Sequence, residues 1–224
     1  STLFPYTTLF RSPYRLPTFV SNHDMGRFAH LVRAERPHAS DDEVLARVAL
    51  AHAMLMTLRG VPVIYYGDEQ GLVGTGGDKA ARQDMFATRV PEYLADRRIG
   101  VAGPSAAQDR FDPQHPLFRA IAGLATVRRE HAALRRGRQI VRRAGTAPGL
   151  FVASRVDPSG AREIVLAFNT SSEPQAALID VEGTPRRFTA LVGDCEAAAV
   201  SPGRYRLAVA PLDFAVCAAG DSPP

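Results

Sequence analysis

The chain has 224 residues, 46% hydrophobic and 22% charged, ordinary proportions for a globular protein with enough apolar material for a sizeable core. No run approaches the ~18 consecutive apolar residues of a membrane span, so no membrane partner is expected. The net charge of +4 sets 27 Lys and Arg against 23 Asp and Glu. Lys79 is the one lysine, and arginines interspersed with carboxylates read as a solvated surface rather than a clustered nucleic-acid footprint.

Residues 1–12, "STLFPYTTLFRS", resemble the conceptual translation of a sequencing adapter and are set aside. The true upstream sequence is then expected to be missing, so the lack of a signal peptide leaves the compartment unknown, with secretion open. A strand is expected at about 16–21, ending in Asn22-His23-Asp24, with a polar segment after it. Ser40 and Glu43 have capping-box spacing, and Val44, Val48, Ala51, Leu55 and Leu58 follow one face of the helix they open. Gly60 supplies a stop, and the apolar character of the other face predicts packing on several sides. "VPVIYYG", from Val61, reads as a strand covered on both faces, and it runs into Gly67-Asp68-Glu69. A glycine-rich loop extends to about Pro116, a length usually functional or disordered. One helix is then expected over 116–137, with Leu117, Ile121, Leu124 and Leu134 inward.

Beyond Gly137 the period changes. "QIVRRA", "GLFVASRVD", "REIVLAFNT", "QAALIDV", "RRFTALV", "RYRLAVA" and "DFAVCAA" are short strands separated by turn residues, which argues an antiparallel β-sandwich. The expected division is residues 13–137 for the α/β part and 138–224 for the all-β part, the latter able to fold by itself. Cys195 and Cys217 could form a disulfide or be two unrelated buried thiols. His52, His115 and His131 lack ligand spacing and read as structural, and no metal site is identified.

Two parallel strands with their helices cannot close a sheet, so they belong to something larger, whose functional residues sit at the carboxyl ends of strands. "FVSNHD" is similar to the motif ending the seventh barrel strand in the α-amylase family of glycoside hydrolases. "GVPVIYYGDEQG" resembles the same family's eighth-strand motif, and the sandwich corresponds to its C-terminal β domain. The resemblance implies the fold: the last two βα units of a (β/α)8 TIM barrel, then an antiparallel β-sandwich. It also implies retaining hydrolysis of α-glucosidic bonds in starch-like glucans or oligosaccharides, with an α-glucan as the expected partner. A transglycosidase or disaccharide-converting relative is one alternative; a non-catalytic carbohydrate-binding module is another.

Retaining hydrolysis needs a carboxylate nucleophile and a carboxylic acid about 5–5.5 Å apart. By the resemblance, Asp24 falls on a third carboxylate that stabilises the transition state, and His23 on a residue that donates to a hydroxyl of the same sugar. Asp78 and Arg82 resemble a substrate-binding loop pair, or form an ordinary i, i+4 surface ion pair. Arg27 is either substrate-binding or a salt-bridge partner inside the barrel mouth. Phe86 could stack on a sugar or simply pack. The family's G-x-R-x-D nucleophile motif and its acid glutamate do not occur here. Arg155 and Asp157 share the spacing but open a turn in the β region, and Glu69 reads as architectural. The chain alone is therefore expected to be inactive. No cofactor is identifiable, and calcium stays open for the intact enzyme.

Overall fold

The computed structural model describes residues 12–94, 96–102, 106–160 and 162–220; of the adapter-like stretch, only Ser12 lies within them. Strand β1 (Pro17–Thr18) pairs in parallel with β2 (Val61–Pro62), Pro17 opposite Val61 and Thr18 opposite Pro62. Helices α1 (Phe28–Glu35) and α2 (Asp41–Thr57) lie between them in sequence. After β2 the chain runs through 3-10 turns at Asp68–Gln70, Asp78–Ala81 and Pro91–Tyr93 to α3 (Pro116–Glu130) and α4 (Ala132–Arg136).

The two parallel strands are much shorter than their apolar runs predict. Pro17 and Pro62 donate no N–H, and among the described residues each strand pairs only with the other. Val61 and Val63 are 48% and 45% exposed, so β2 is not covered on both faces. An apolar run records the neighbours a strand is built for, and one neighbour is present. Helix α1 falls where only a polar segment was expected; Ala29 and Val32 bury its inner side.

Helix α2 is tied at both ends. The Ser40 hydroxyl accepts the Glu43 N–H at 3.1 Å, whereas the Glu43 carboxylate turns to Arg47 at 2.9 Å, so half of the capping box forms. At the other end the Arg128 guanidinium donates to the Met56 and Gly60 carbonyls at 2.8 and 2.7 Å. Arg155 donates to Thr57 at 2.8 Å. These carbonyls have no intrahelical partner, and positive charge suits a helix C-terminus. Burial first, and Arg128 second, push the Arg155 pKa down to about 10. The Arg155–Asp157 decoy is thus structural: Arg155 is buried, and Asp157 accepts the Gly160 N–H in a turn.

The single helix expected over 116–137 is two. His131 is extended, with φ −108° and ψ 109°, and α4 restarts at Ala132. Leu134 is buried as expected, but from the second helix.

All seven β-region strands form: β3 (Arg138–Arg143), β4 (Leu150–Val156), β5 (Glu163–Asn169), β6 (Gln175–Asp180), β7 (Phe188–Val192), β8 (Arg204–Val209) and β9 (Phe214–Ala219). Five make an antiparallel sheet in the order β3-β4-β5-β9-β7, and β6 pairs with β8. Alternation along β5 sorts its side chains. Val165 and Ala167 pack with Ile179, Tyr205 and Leu207 of the small sheet. Ile164, Leu166 and Phe168 pack with Leu50, Ala53 and Met56 of α2, Leu124 of α3 and Leu134 of α4. The large sheet therefore has a covered layer on each face. Cys195 and Cys217 are bonded, with Cα atoms 5.9 Å apart, which settles the open pairing and ties the β7–β8 connection to the core strand β9. Closing a loop of this size is worth about 3 kcal/mol in the chain-entropy account.

Candidate functional site

The turn after β1 is built by one asparagine. The Asn22 Oδ1 accepts the backbone N–H groups of Asp24 and Met25, each at 2.8 Å, and Asn22 bridges to Gly26. Asparagine side chains mimic a backbone turn in this way. Gly26 closes the turn at φ +88°, where a Cβ would stand 2.8 Å from the Gly76 carbonyl oxygen; left-handed backbone and close approach both require glycine. The turn faces His23 and Asp24 outward, with side chains 58% and 72% exposed and His23 Nε2 3.3 Å from Asp24 Oδ1.

The loop carrying Asp78 and Arg82 comes to meet this turn. The Asp78 N–H donates to the Asp24 carbonyl at 3.4 Å. Arg82 donates to Asp78 Oδ1 at 2.6 Å, and the same nitrogen lies 3.8 Å from Asp24 Oδ1. The i, i+4 pair is real, and it also leans on Asp24. His23, Asp24, Asp78 and Arg82 are thus brought together, offering two carboxylates, an imidazole and a guanidinium to solvent within one patch. Such an array can donate to and accept from sugar hydroxyls, and it sets negative charge where a cationic centre could be stabilised.

Arg27 is placed differently. It is fully buried and pairs with Asp68 at 2.8 Å, the inner salt bridge of the two readings; it has no surface for a substrate in this chain. Its Nε donates to Gln83 Oε1 at 2.5 Å and its NH1 to the Tyr66 carbonyl at 2.9 Å. The guanidinium carbon stands 4.8 Å from the Tyr65 ring centre and 5.5 Å from that of Tyr66. Burial, with Tyr66 adding to it, pushes the Tyr65 phenol up to about 12, so it stays a neutral donor, to the Ala81 carbonyl at 3.1 Å. Glu69 accepts the Gly67 N–H at 2.8 Å, the architectural role expected. Phe86 is exposed and meets Phe111 edge-on, centroids 5.3 Å apart.

Buried amides and guanidiniums tie the described parts of the long loop together. The Gln70 Oε1 accepts from Arg98 at 3.1 Å and from the Asp112 N–H at 2.9 Å. His52 Nδ1 meets the Val48 carbonyl at 2.8 Å, and its Nε2 lies 3.7 Å from Asp68 Oδ2. His115 Nδ1 accepts the Leu117 N–H at 3.2 Å, capping α3, and its Nε2 donates to Ile99 at 2.9 Å. Gln83 carried no sequence signal as a support, and Asp68 and Gln70 stood in the eighth-strand motif without an individual role. Asn22 did carry a signal: an asparagine four residues before a glycine is readable as a turn former. Among the described residues, no group of three or more His, Cys, Asp or Glu could hold a metal ion, and no helix is long and apolar enough to cross a membrane.

Comparison with known proteins bears on this arrangement directly. The family profile described as "Alpha amylase, catalytic domain" matches residues 9–137. An alpha-amylase of Streptomyces lividans is 43% identical over 175 residues, covering 78% of this chain and 19% of that protein. A cyclomaltodextrin glucanotransferase of Niallia circulans is 42% identical over 83 residues, 37% of this chain and 10% of its own length. Among solved structures, an Anoxybacillus alpha-amylase superposes with a TM-score of 0.73 at 22% identity, covering 97% of this chain and 41% of that one. An alpha-amylase of Geobacillus thermoleovorans, solved with acarbose, gives 0.69 at 23% identity, with coverage of 97% and 41%. The fold agrees with the expectation from the two strand-end motifs. The chain spans about a fifth of the length of the Streptomyces relative.

Proposed function

Since the chain belongs to the α-amylase family, we propose that it forms the C-terminal part of a retaining glycoside hydrolase acting on α-glucosidic bonds of starch-like glucans, with residues 13–137 completing the barrel and 138–224 the β domain. The observation that carries this reading is the exposed Asp24, raised on an asparagine turn at a strand end, with His23 at 3.3 Å and Arg82 at 3.8 Å. In this role the Asp24 carboxylate faces the positive charge that develops on the sugar ring in the transition state. His23 donates to a sugar hydroxyl, and Asp78 and Arg82 bind hydroxyls beside it. The relative identified as a cyclomaltodextrin glucanotransferase supports a second reading, transfer to another sugar, which uses the same residues on this side of the site. Nucleophile and acid belong to upstream sequence in both readings, so this chain by itself releases no reducing sugar from starch.

The test places this chain behind the upstream barrel of the Streptomyces relative and measures steady-state kinetics on starch. Interactions that strengthen only in the transition state raise kcat. Asp24→Asn keeps the shape and loses the charge, so kcat should fall on the order of 100-fold or more, with KM little changed. His23→Ala removes a contact made in the ground state too and should raise KM as well. Near-parental kcat in Asp24→Asn overturns the assignment and leaves the turn a structural strand end.

A further inference from the structure

We propose that Arg27 is a positioning residue: from beneath, it clamps the turn that presents Asp24 to the loop that presents Arg82. The significance of the clamp for catalysis rests on the reading of Asp24 above; its existence does not. The side chains of Asp24 and Arg82 are 72% and 48% exposed yet lie 3.8 Å apart. Exposed ion pairs of this kind contribute little and hold neither partner in place, so their spacing has to be set from below.

Arg27 is where the three pieces of the site converge. Its backbone begins directly after Gly26, the residue closing the Asp24 turn. Its Nε holds Gln83, the neighbour of Arg82, at 2.5 Å. Its NH1 holds the end of the β2 segment twice, through the Tyr66 carbonyl at 2.9 Å and Asp68 at 2.8 Å. Asp68 in turn faces His52 of α2 at 3.7 Å, which roots the clamp in the helical layer. A planar guanidinium with five donors in fixed directions can serve three partners at once; a lysine ammonium, a point charge on a flexible stem, cannot hold the same angles. Gly67 leaves room for this, since at φ +85° a Cβ would stand 2.4 Å from Leu72 Cδ1 and 3.2 Å from the Arg27 NH2. The Tyr65 hydroxyl on the Ala81 carbonyl and the Asp78 N–H on the Asp24 carbonyl run alongside the clamp. Displacing a reacting group by ~1 Å can cost 100-fold in rate, which is the scale of error such a support prevents.

Backbone amide exchange, followed by NMR on the whole chain, tests the clamp without any catalytic assay. Gln83→Leu removes one arm and keeps the Arg27–Asp68 pair. The Asp78, Ala80 and Arg82 amides should then exchange at least about ten-fold faster, while β5 amides from Val165 to Phe168 keep their rates. Gln83→Glu retains the accepting oxygen and should return the loop amides to parental rates. Arg27→Met should also speed the Asp24 and Met25 amides; if that variant does not fold, the two Gln83 variants decide alone. Unchanged loop amides in Gln83→Leu, failure of Gln83→Glu to restore them, or acceleration running equally through β5 overturns the clamp. Each of these leaves the Asp24→Asn kinetics untouched, so the two ideas fail separately.

Discussion

His115 takes the N-cap of α3, where Ser, Thr, Asp or Asn usually stands, and its ring is committed at both nitrogens: one accepts from Leu117, the other donates to Ile99. Only the neutral form can do both. Burial, the largest influence, holds its pKa below the ordinary 6.5, and burial followed by Arg162 does the same to His131. The unfolded chain therefore takes up these protons first as pH falls. The two rings contribute stability above about pH 6.5, and that contribution is lost as pH drops through their lower folded values. Thermal unfolding followed by circular dichroism should show a midpoint falling between pH 7 and 5. His115→Asn, which retains a capping oxygen, should flatten part of that fall; an unchanged slope would remove His115 from the account. At this scale the sequence was legible where chemistry was local. Asn22-His23-Asp24 and the Asp78–Arg82 spacing could be read directly, because each is settled within five residues. The burial of Arg27 could not, because it depends on Gln83 and Asp68, 56 and 41 positions away.

Helix α2 shows how much of an element its own sequence reveals. Its start is written in Ser40, and Ser40→Ala should cost about 1 kcal/mol, measured as a shifted urea midpoint with an unchanged slope; a loss well under half of that would mean the hydroxyl bond at Glu43 contributes little. Its C-terminus is different. The carbonyls of Met56, Thr57 and Gly60 are met by Arg128 and Arg155, which arrive from a later helix and from β4 and leave no local signature. The break at His131 was hidden for a related reason. Leu117, Ile121 and Leu124 keep helical phase, and Leu134 lands in the same core as Leu124, so periodicity alone runs straight across an extended residue. The β region was the most readable because its short apolar strands are separated by turn residues; β6 and β8 also alternate between buried and exposed positions, whereas β5 is buried throughout. For β1 and β2 the apolar runs overstated the strands, since pairing, unlike hydropathy, needs a neighbour on each side.

At the scale of the molecule, the covalent passage from α4 to β3 at Gly137 is not a seam in the packing. Val165 and Ala167 stand in one core and Ile164, Leu166 and Phe168 in another that the helices complete. We propose the division at 137/138 as a boundary of chain topology, and its energetic meaning can be tested. The polypeptide 138–224 keeps the inner sandwich core and the Cys195–Cys217 bond, so it should melt cooperatively. Its helix-facing side, however, becomes an apolar patch, and such patches associate. Calorimetry should place its midpoint below that of the whole chain, and sedimentation should show concentration-dependent self-association. A monomer as stable as the whole chain would mean that the helical layer is an ornament to the sheet rather than part of its core.

The two-sided burial of β5 also has a consequence for descent and recombination. Odd and even positions of this one strand answer to different neighbours, so they drift under separate constraints. Val165 and Ala167 must suit the small sheet, and Ile164, Leu166 and Phe168 must suit α2, α3 and α4. A crossover between two relatives at residue 137 would inherit a sheet from one parent and the helices moulded to it from the other. Swaps that work should carry Leu50, Ala53, Met56, Leu124 and Leu134 along with the strands they fit, so the heritable unit is larger than the β domain and begins inside the barrel.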